Sequence, residues 1–195
     1  MSVVTAVSAV PRSRAGHSAV VGTAILATAG CVAMAALGAF YVAMRKGASA
    51  DYLSSTGMKF NNYSAVVVVF TLLLASGAAG WGVIAARLGN RRWGATGFGL
   101  ALLFDLASLN LLWDIGQRIG VGVKDLPATT IVYTLLVAGG LAMAIGAAAS
   151  ICGLVSTVGG HANPSTRYHA LAASIGQHFA TVAWLVPFVA IFLKK

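Results

Sequence analysis

Glutamate is absent from this chain, and aspartate occurs only four times, at Asp51, Asp105, Asp114 and Asp125. A water-soluble domain carries about a quarter of its residues as charged groups, because its surface must be clothed in them. Here 9% of 195 residues are charged and 58% are hydrophobic, so the polar coat of a soluble fold cannot be built. A lipid-facing fold needs no such coat. Cysteine is nearly as scarce. Cys31 and Cys152 both sit in apolar runs, which reads as two buried free thiols acting as small hydrophobes and excludes a disulfide framework. Of four prolines, only Pro187 falls well inside an apolar run. Metal-ligand spacing is missing too. His17, His161, His169 and His178 form no pair three or four residues apart, which argues against haem or metal ligation by this chain alone.

What is present is long apolar runs. A bilayer core of about 30 Å takes about 20 apolar residues in a helix. Five stretches reach that length, at about 18–44, 63–86, 93–115, 129–155 and 168–193. They are continuously apolar and lack the alternation of barrel strands. In lipid only a helix satisfies its own backbone, even in the Val-rich second run. The expected fold is therefore all-α, a membrane domain of five transmembrane helices over 18–195 behind a mobile tail at 1–17. The first run is far longer than the 7–15 residues of a signal-peptide core and reads as a first span. Turn formers separate the runs, among them Gly47, Gly57 and Asn61, then RLGNRR at 87–92, then Gly120, Gly122 and Pro127, then Gly159, Gly160 and Pro164.

The net charge is +9. The basic residues gather in short segments between apolar runs, as juxtamembrane anchors do, with no basic stripe of the kind that binds nucleic acid. If the N-terminus is inside, the inner side holds Arg12, Arg14, Arg87, Arg91, Arg92 and Arg167. The outer side then holds Arg45, Lys46, Lys59, Arg118, Lys124, Lys194 and Lys195. The totals do not separate the two orientations. The densest cluster lies in the shortest loop, RLGNRR, which weighs most. That places the N-terminus in the cytoplasm and the C-terminus outside, in a multi-pass cell-membrane protein.

Within the runs, Gly77–Gly80, Gly139, Gly140 and Gly146–Ser150 are small enough for close helix packing, or for a smooth face that docks another subunit. Asp105 lies near the middle of the third run, where an acid is costly and faces a partner or water. Ser108 shares its face. Asp114, nine residues on, points to the opposite face, so the two are no catalytic pair, and it falls beside Gln117 and Arg118. His178 reads as a neutral imidazole hydrogen-bonded inside the bundle.

The last run carries Gln177-His178-Phe179-Ala180-Thr181-Val182-Ala183-Trp184-Leu185. This segment resembles the closing His-Phe-x-Asp-x-x-Trp-Leu helix of the haem-copper oxidase subunit III family, with Thr181 at the Asp position. LGAFYVAMR (37–45) is similar to the end of that family's first shared helix, with Tyr41 and Arg45 at its Tyr and Arg. LLLASGAAGWGVIAARLGNRR (72–92) resembles its Ser/Thr-bearing helix and basic turn. LNLLWDIGQ (109–117) puts Asp114 in an acidic role, and YTLLVAGGLAMAIG (133–146) resembles its Thr-Gly-x-His-Gly-x-His segment. The matches fall in order over about 20–193 and imply a short, five-helix member. Three polar hallmarks are gone: the membrane-embedded Glu aligns with Gly30, and the two histidines with Gly139 and Ala142.

The resemblance implies a non-catalytic accessory subunit of a respiratory haem-copper oxidase or supercomplex. It would hold no cofactor itself, bind structural phospholipid, and support partner subunits that carry haem and copper. Asp105, Asp114, His178, Trp184, Tyr41 and Arg45 are its candidate structural, partner or lipid contacts. Two other expectations compete, a membrane subunit of a copper monooxygenase or nitric oxide reductase complex, and a small transporter or channel that uses Asp105.

Overall fold

The computed structural model describes residues 12–47, 59–120, 127–159 and 164–193. They form five long helices, α1 (Arg12–Gly47), α2 (Asn62–Arg87), α3 (Arg91–Arg118), α4 (Pro127–Gly159) and α5 (Pro164–Pro187), with a π-helical extension at Phe188–Leu193. All five carry a stretch long and apolar enough to cross a membrane, and no strand occurs among the described residues. The chain is an all-α, multi-pass membrane bundle. The expected spans fall inside these elements. Helix α1 begins at Arg12, six residues before the expected first span. Residues 1–11 lie outside the described residues, as do Asp51, Gly57, Gly122, Lys124, Asp125, Gly160, His161 and the two C-terminal lysines.

The helix ends follow local chemistry. Asn61 caps α2, accepting from the Ser64 backbone N–H at 3.3 Å while its amide donates to the Ser64 hydroxyl at 2.7 Å. Asn90 caps α3 by accepting from the Trp93 N–H at 3.3 Å. Between α2 and α3 the chain reverses in three residues. Gly89 takes φ +76°, a left-handed conformation that glycine adopts without strain. Pro187 supplies no N–H to the helix ladder, and the backbone continues beyond it with π geometry.

Four helices close a ring in the order α2, α3, α4, α5, with each neighbour antiparallel. Gly82 faces Gly94 and Gly97 across α2 and α3. Gly153 faces Phe98, and Gly140 faces Leu112, across α3 and α4. Gly146 meets Ala180, and Gly139 meets Trp184, across α4 and α5. Thr181 reaches the Leu72 carbonyl and closes the ring from α5 to α2. The core inside is made of Leu72, Phe98, Ile115, Leu135, Met143 and Trp184, all fully buried.

Helix α1 stands outside the ring and runs parallel to α5. Gly16 meets Tyr168, Gly30 meets Phe179, and Gly38 meets Val186. Only 6% of its most apolar stretch is buried, against 56% for α5. A groove of about 710 Å³ runs along the α1–α5 junction, lined by Ala35, Gly38, Ala39, Val42, Val182 and Leu185 among others.

The small residues divide. Gly139, Gly140, Gly146 and Gly153 seat neighbouring side chains, whereas Gly77 and Gly80 have nothing within 4 Å of a Cβ. Cys31 is half-buried and Cys152 exposed, both free. Cys152 therefore sits on the outer surface, contrary to the expectation of a buried thiol. The helix turns the next residue, Gly153, to Phe98 instead.

Candidate polar site at the centre of the bundle

The strongest chemistry lies in one layer inside the ring. Asp105 from α3, Ser150 from α4 and Gln177 from α5 are each 0% exposed. The Gln177 amide donates to Asp105 Oδ1 at 2.7 Å. The Ser150 hydroxyl lies 3.0 Å from Asp105 Oδ2 and 3.2 Å from Gln177 Oε1. Three side chains from three helices thus close a small hydrogen-bonded ring. Gly146 leaves the space for it, since a Cβ there would stand 2.9 Å from Gln177 Oε1.

Buried polar groups in hydrocarbon are tolerable only when they find partners, and the neighbours of this ring obey the same rule. Ser108, which shares a face with Asp105, turns its hydroxyl back to the Phe104 carbonyl at 2.9 Å and takes no part. Thr181 lies 3.2 Å from both the Leu72 and the Gln177 carbonyls, which ties α5 to α2 at the same depth.

The other candidate residues disperse. His178 is exposed, which corrects the expectation of an imidazole inside the bundle. Gln177 points inward, so the next residue along the helix must turn away from the core. His178 bonds Ser76 of α2 through Nδ1 and Ser174, one turn earlier, through Nε2 at 3.3 Å. Trp184 is 0% exposed and packs against Gly139, where a Cβ would meet its ring at 2.9 Å. Its indole nitrogen has no hydrogen-bond partner, so this side chain acts by packing. Tyr41 is buried in the same cluster, and its hydroxyl finds no partner in hydrogen-bond geometry. Arg45 lies one turn further along α1. Asp114 pairs with Arg118 at 2.7 Å, on an exposed stretch near the end of α3.

Sequence pattern singles out Asp105 but neither of its partners. Gln177 stands in the motif beside His178, and Ser150 falls among the small residues. The available signal is position, because Asp105 and Gln177 lie mid-run in helices that the ring places side by side. Among the described residues, no group of three or more His, Cys or Asp could hold a metal ion.

Gly30, Gly139 and Ala142 are positions of close packing. A Cβ on Gly30 would stand 2.6 Å from the Phe179 ring. Gly139 is pressed by Trp184, and Ala142 is 3% exposed in a cluster with Met34 and Ala183. Gly30→Glu is accordingly expected to loosen α1 from α5, at about 1–3 kcal/mol for overpacking alone. Gly22→Ala, with nothing within 4 Å, should leave the junction intact and, as a helical Gly→Ala change, stabilise slightly. Protease sensitivity and melting of the purified variants in detergent would check both. Compared with known families and curated proteins, the chain matches no family model and no curated sequence.

Proposed function

We propose that this chain is a non-catalytic accessory subunit of a membrane oxidoreductase complex, of the haem-copper oxidase subunit III kind, that scaffolds partner subunits bearing haem and copper. The observation that carries the reading is how the polar groups are spent. Asp105 is locked in a closed, fully buried ring with Ser150 and Gln177. A transport pathway would instead hold its acid toward a water-filled cavity. The aligned positions Gly30, Gly139 and Ala142 are filled by packing, which suits a scaffold that has given up polar chemistry and kept its shape.

The outer faces then carry the function. Helix α1 is attached along one side only, and its remaining surface is free for a partner helix or lipid. Phospholipid acyl chains fit the groove between α1 and α5, where the wall is almost wholly apolar and Lys46 stands at one end. Arg87, Arg91 and Arg92 at the α2–α3 turn face the cytoplasm in this reading, with the N-terminus inside and the C-terminus outside.

The test is purification of the tagged chain from its native membrane in a mild detergent. The expected result is co-elution with haem- and copper-bearing subunits, seen in the visible spectrum and by metal analysis. A homogeneous, haem-free and partner-free bundle would overturn the proposal.

A further inference from the structure

The Asp105 ring has three edges, and each needs one hydrogen. The edges are Asp105 Oδ2 to Ser150 Oγ at 3.0 Å, Ser150 Oγ to Gln177 Oε1 at 3.2 Å, and Gln177 Nε2 to Asp105 Oδ1 at 2.7 Å. The glutamine nitrogen supplies the hydrogen on its own edge. Serine has a single O–H and can direct it along one line at a time. If Asp105 were a carboxylate, acceptor only, one of the two serine edges would bring two oxygens together with no hydrogen between them. Turning the Gln177 amide over leaves the count unchanged. Its nitrogen would then serve the serine edge, and the 2.7 Å edge to Asp105 would be the one lacking a hydrogen.

We infer that the Asp105–Ser150–Gln177 ring is a proton-binding site that holds one proton on the Asp105 carboxyl. The acid O–H donates to Ser150, Ser150 donates to Gln177 Oε1, and Gln177 donates back to the other carboxyl oxygen. Every edge then runs donor to acceptor in one direction around the ring, the arrangement in which such bonds reinforce one another.

The surroundings fit an uncharged group. Among the described residues, no Lys, Arg or His pairs with Asp105. From α2, the Leu72 carbonyl is already taken by Thr181. On α3 itself, Ser108 is committed to Phe104. From α4, Gly146 offers no polar side chain. From α5, the adjacent titratable group, His178, is turned outward to Ser76 and Ser174. A carboxylate here would be a buried charge with no countercharge, among the costliest states a membrane interior can hold. The site belongs to the bundle alone and does not depend on any partner subunit.

The chain offers a clean test, because it has no Glu and only four Asp. In a variant carrying Asp51→Asn, Asp114→Asn and Asp125→Asn, Asp105 is the sole side-chain carboxyl. The infrared difference spectrum between that protein and its Asp105→Asn derivative, both in dodecyl maltoside micelles at neutral pH, should show the carbonyl stretch of a protonated carboxyl, shifted in D₂O. It should show no side-chain carboxylate band. A carboxylate spectrum would overturn the proposal. Asp105→Asn is the second arm, and it also serves if the triple variant fails to fold. Its amide N–H stands in for the acid O–H and keeps all three hydrogens, so it should melt within a few degrees of the wild type. It should also remove the acid band from the wild-type spectrum. A loss of stability as large as that of Asp105→Leu would overturn the proposal.

Discussion

Asp105→Leu should cost the bundle about 2–4 kcal/mol, read as unfolding in a detergent series or as a fall in melting temperature in nanodiscs. Leucine has the same branched four-atom side chain as aspartate and favours helix, so branching and propensity do not drive the effect. The cost comes from what is left behind. Ser150 and Gln177, both 0% exposed, keep their mutual bond, but the Gln177 N–H and the acceptor side of the Ser150 hydroxyl lose Asp105. An orphaned buried polar group costs about 1–3 kcal/mol, and two are created. The figure stays at the lower end because an unfolded chain inside a membrane also finds partners for such groups.

The ring geometry orders the related variants. Gln177→Leu removes two edges, including the shortest at 2.7 Å. It should approach the cost of Asp105→Leu. Ser150→Ala leaves the Asp105–Gln177 bond in place and should cost about 1 kcal/mol. The double variant of Asp105 and Gln177 to Leu should cost clearly less than the sum of its singles, since the second change removes a group the first has already orphaned. Simple additivity would mean the three side chains do not act as a ring.

Much of this protein is legible in its sequence. Five spans, the all-α class and the RLGNRR turn follow from run length and punctuation, because the bilayer leaves the backbone few choices. The Asp114–Arg118 pair is legible for the same kind of reason, as a local relation four residues apart on one helix. What stays hidden depends on the order of helices around the ring. Periodicity alone cannot say that Asp105 faces α4 and α5 and not lipid. Nor can it say that Gln177 turns inward and so sends His178 out, or that Trp184 lies at the heart of the core. In soluble proteins the apolar face marks the inside. Here both faces are apolar, so the direction of a helix is carried by a few small and polar residues and is weakly encoded in the sequence pattern. Gly30 and Gly139 illustrate this. Nothing in the run around either glycine says what packs on it, and the structure shows them as seats for Phe179 and Trp184.

Gly97→Val should be the most damaging single change in the bundle, with little monodisperse protein recovered after extraction. At most glycine seats a side chain lies opposite and can shift. At Gly97 the opposing atoms are backbone, with a Cβ 2.7 Å from both Cα and N of Gly82 and 2.8 Å from the Ala78 carbonyl oxygen. No rotamer change relieves such a clash, so α2 and α3 must separate. The three-residue reversal at Leu88–Asn90 joins these two helices a short way beyond the contact, so neither can slide along the other to escape. Separation also disturbs the next residue, Phe98, whose fully buried ring stands 2.5 Å from where a Cβ of Gly153 would be and so fixes α3 against α4. Overpacking in cores typically costs about 1–3 kcal/mol. With the strain placed on backbone and passed on to a second interface, Gly97→Val should exceed that range, and Gly97→Ala should fall within it. Gly77→Ala and Gly99→Ala are the matched controls, since nothing lies within 4 Å of either Cβ. By restricting the unfolded chain they should stabilise slightly, by about 0.5–1 kcal/mol. If Gly97→Ala melted with these controls, the α2–α3 backbone contact would not be the seam on which the bundle is built.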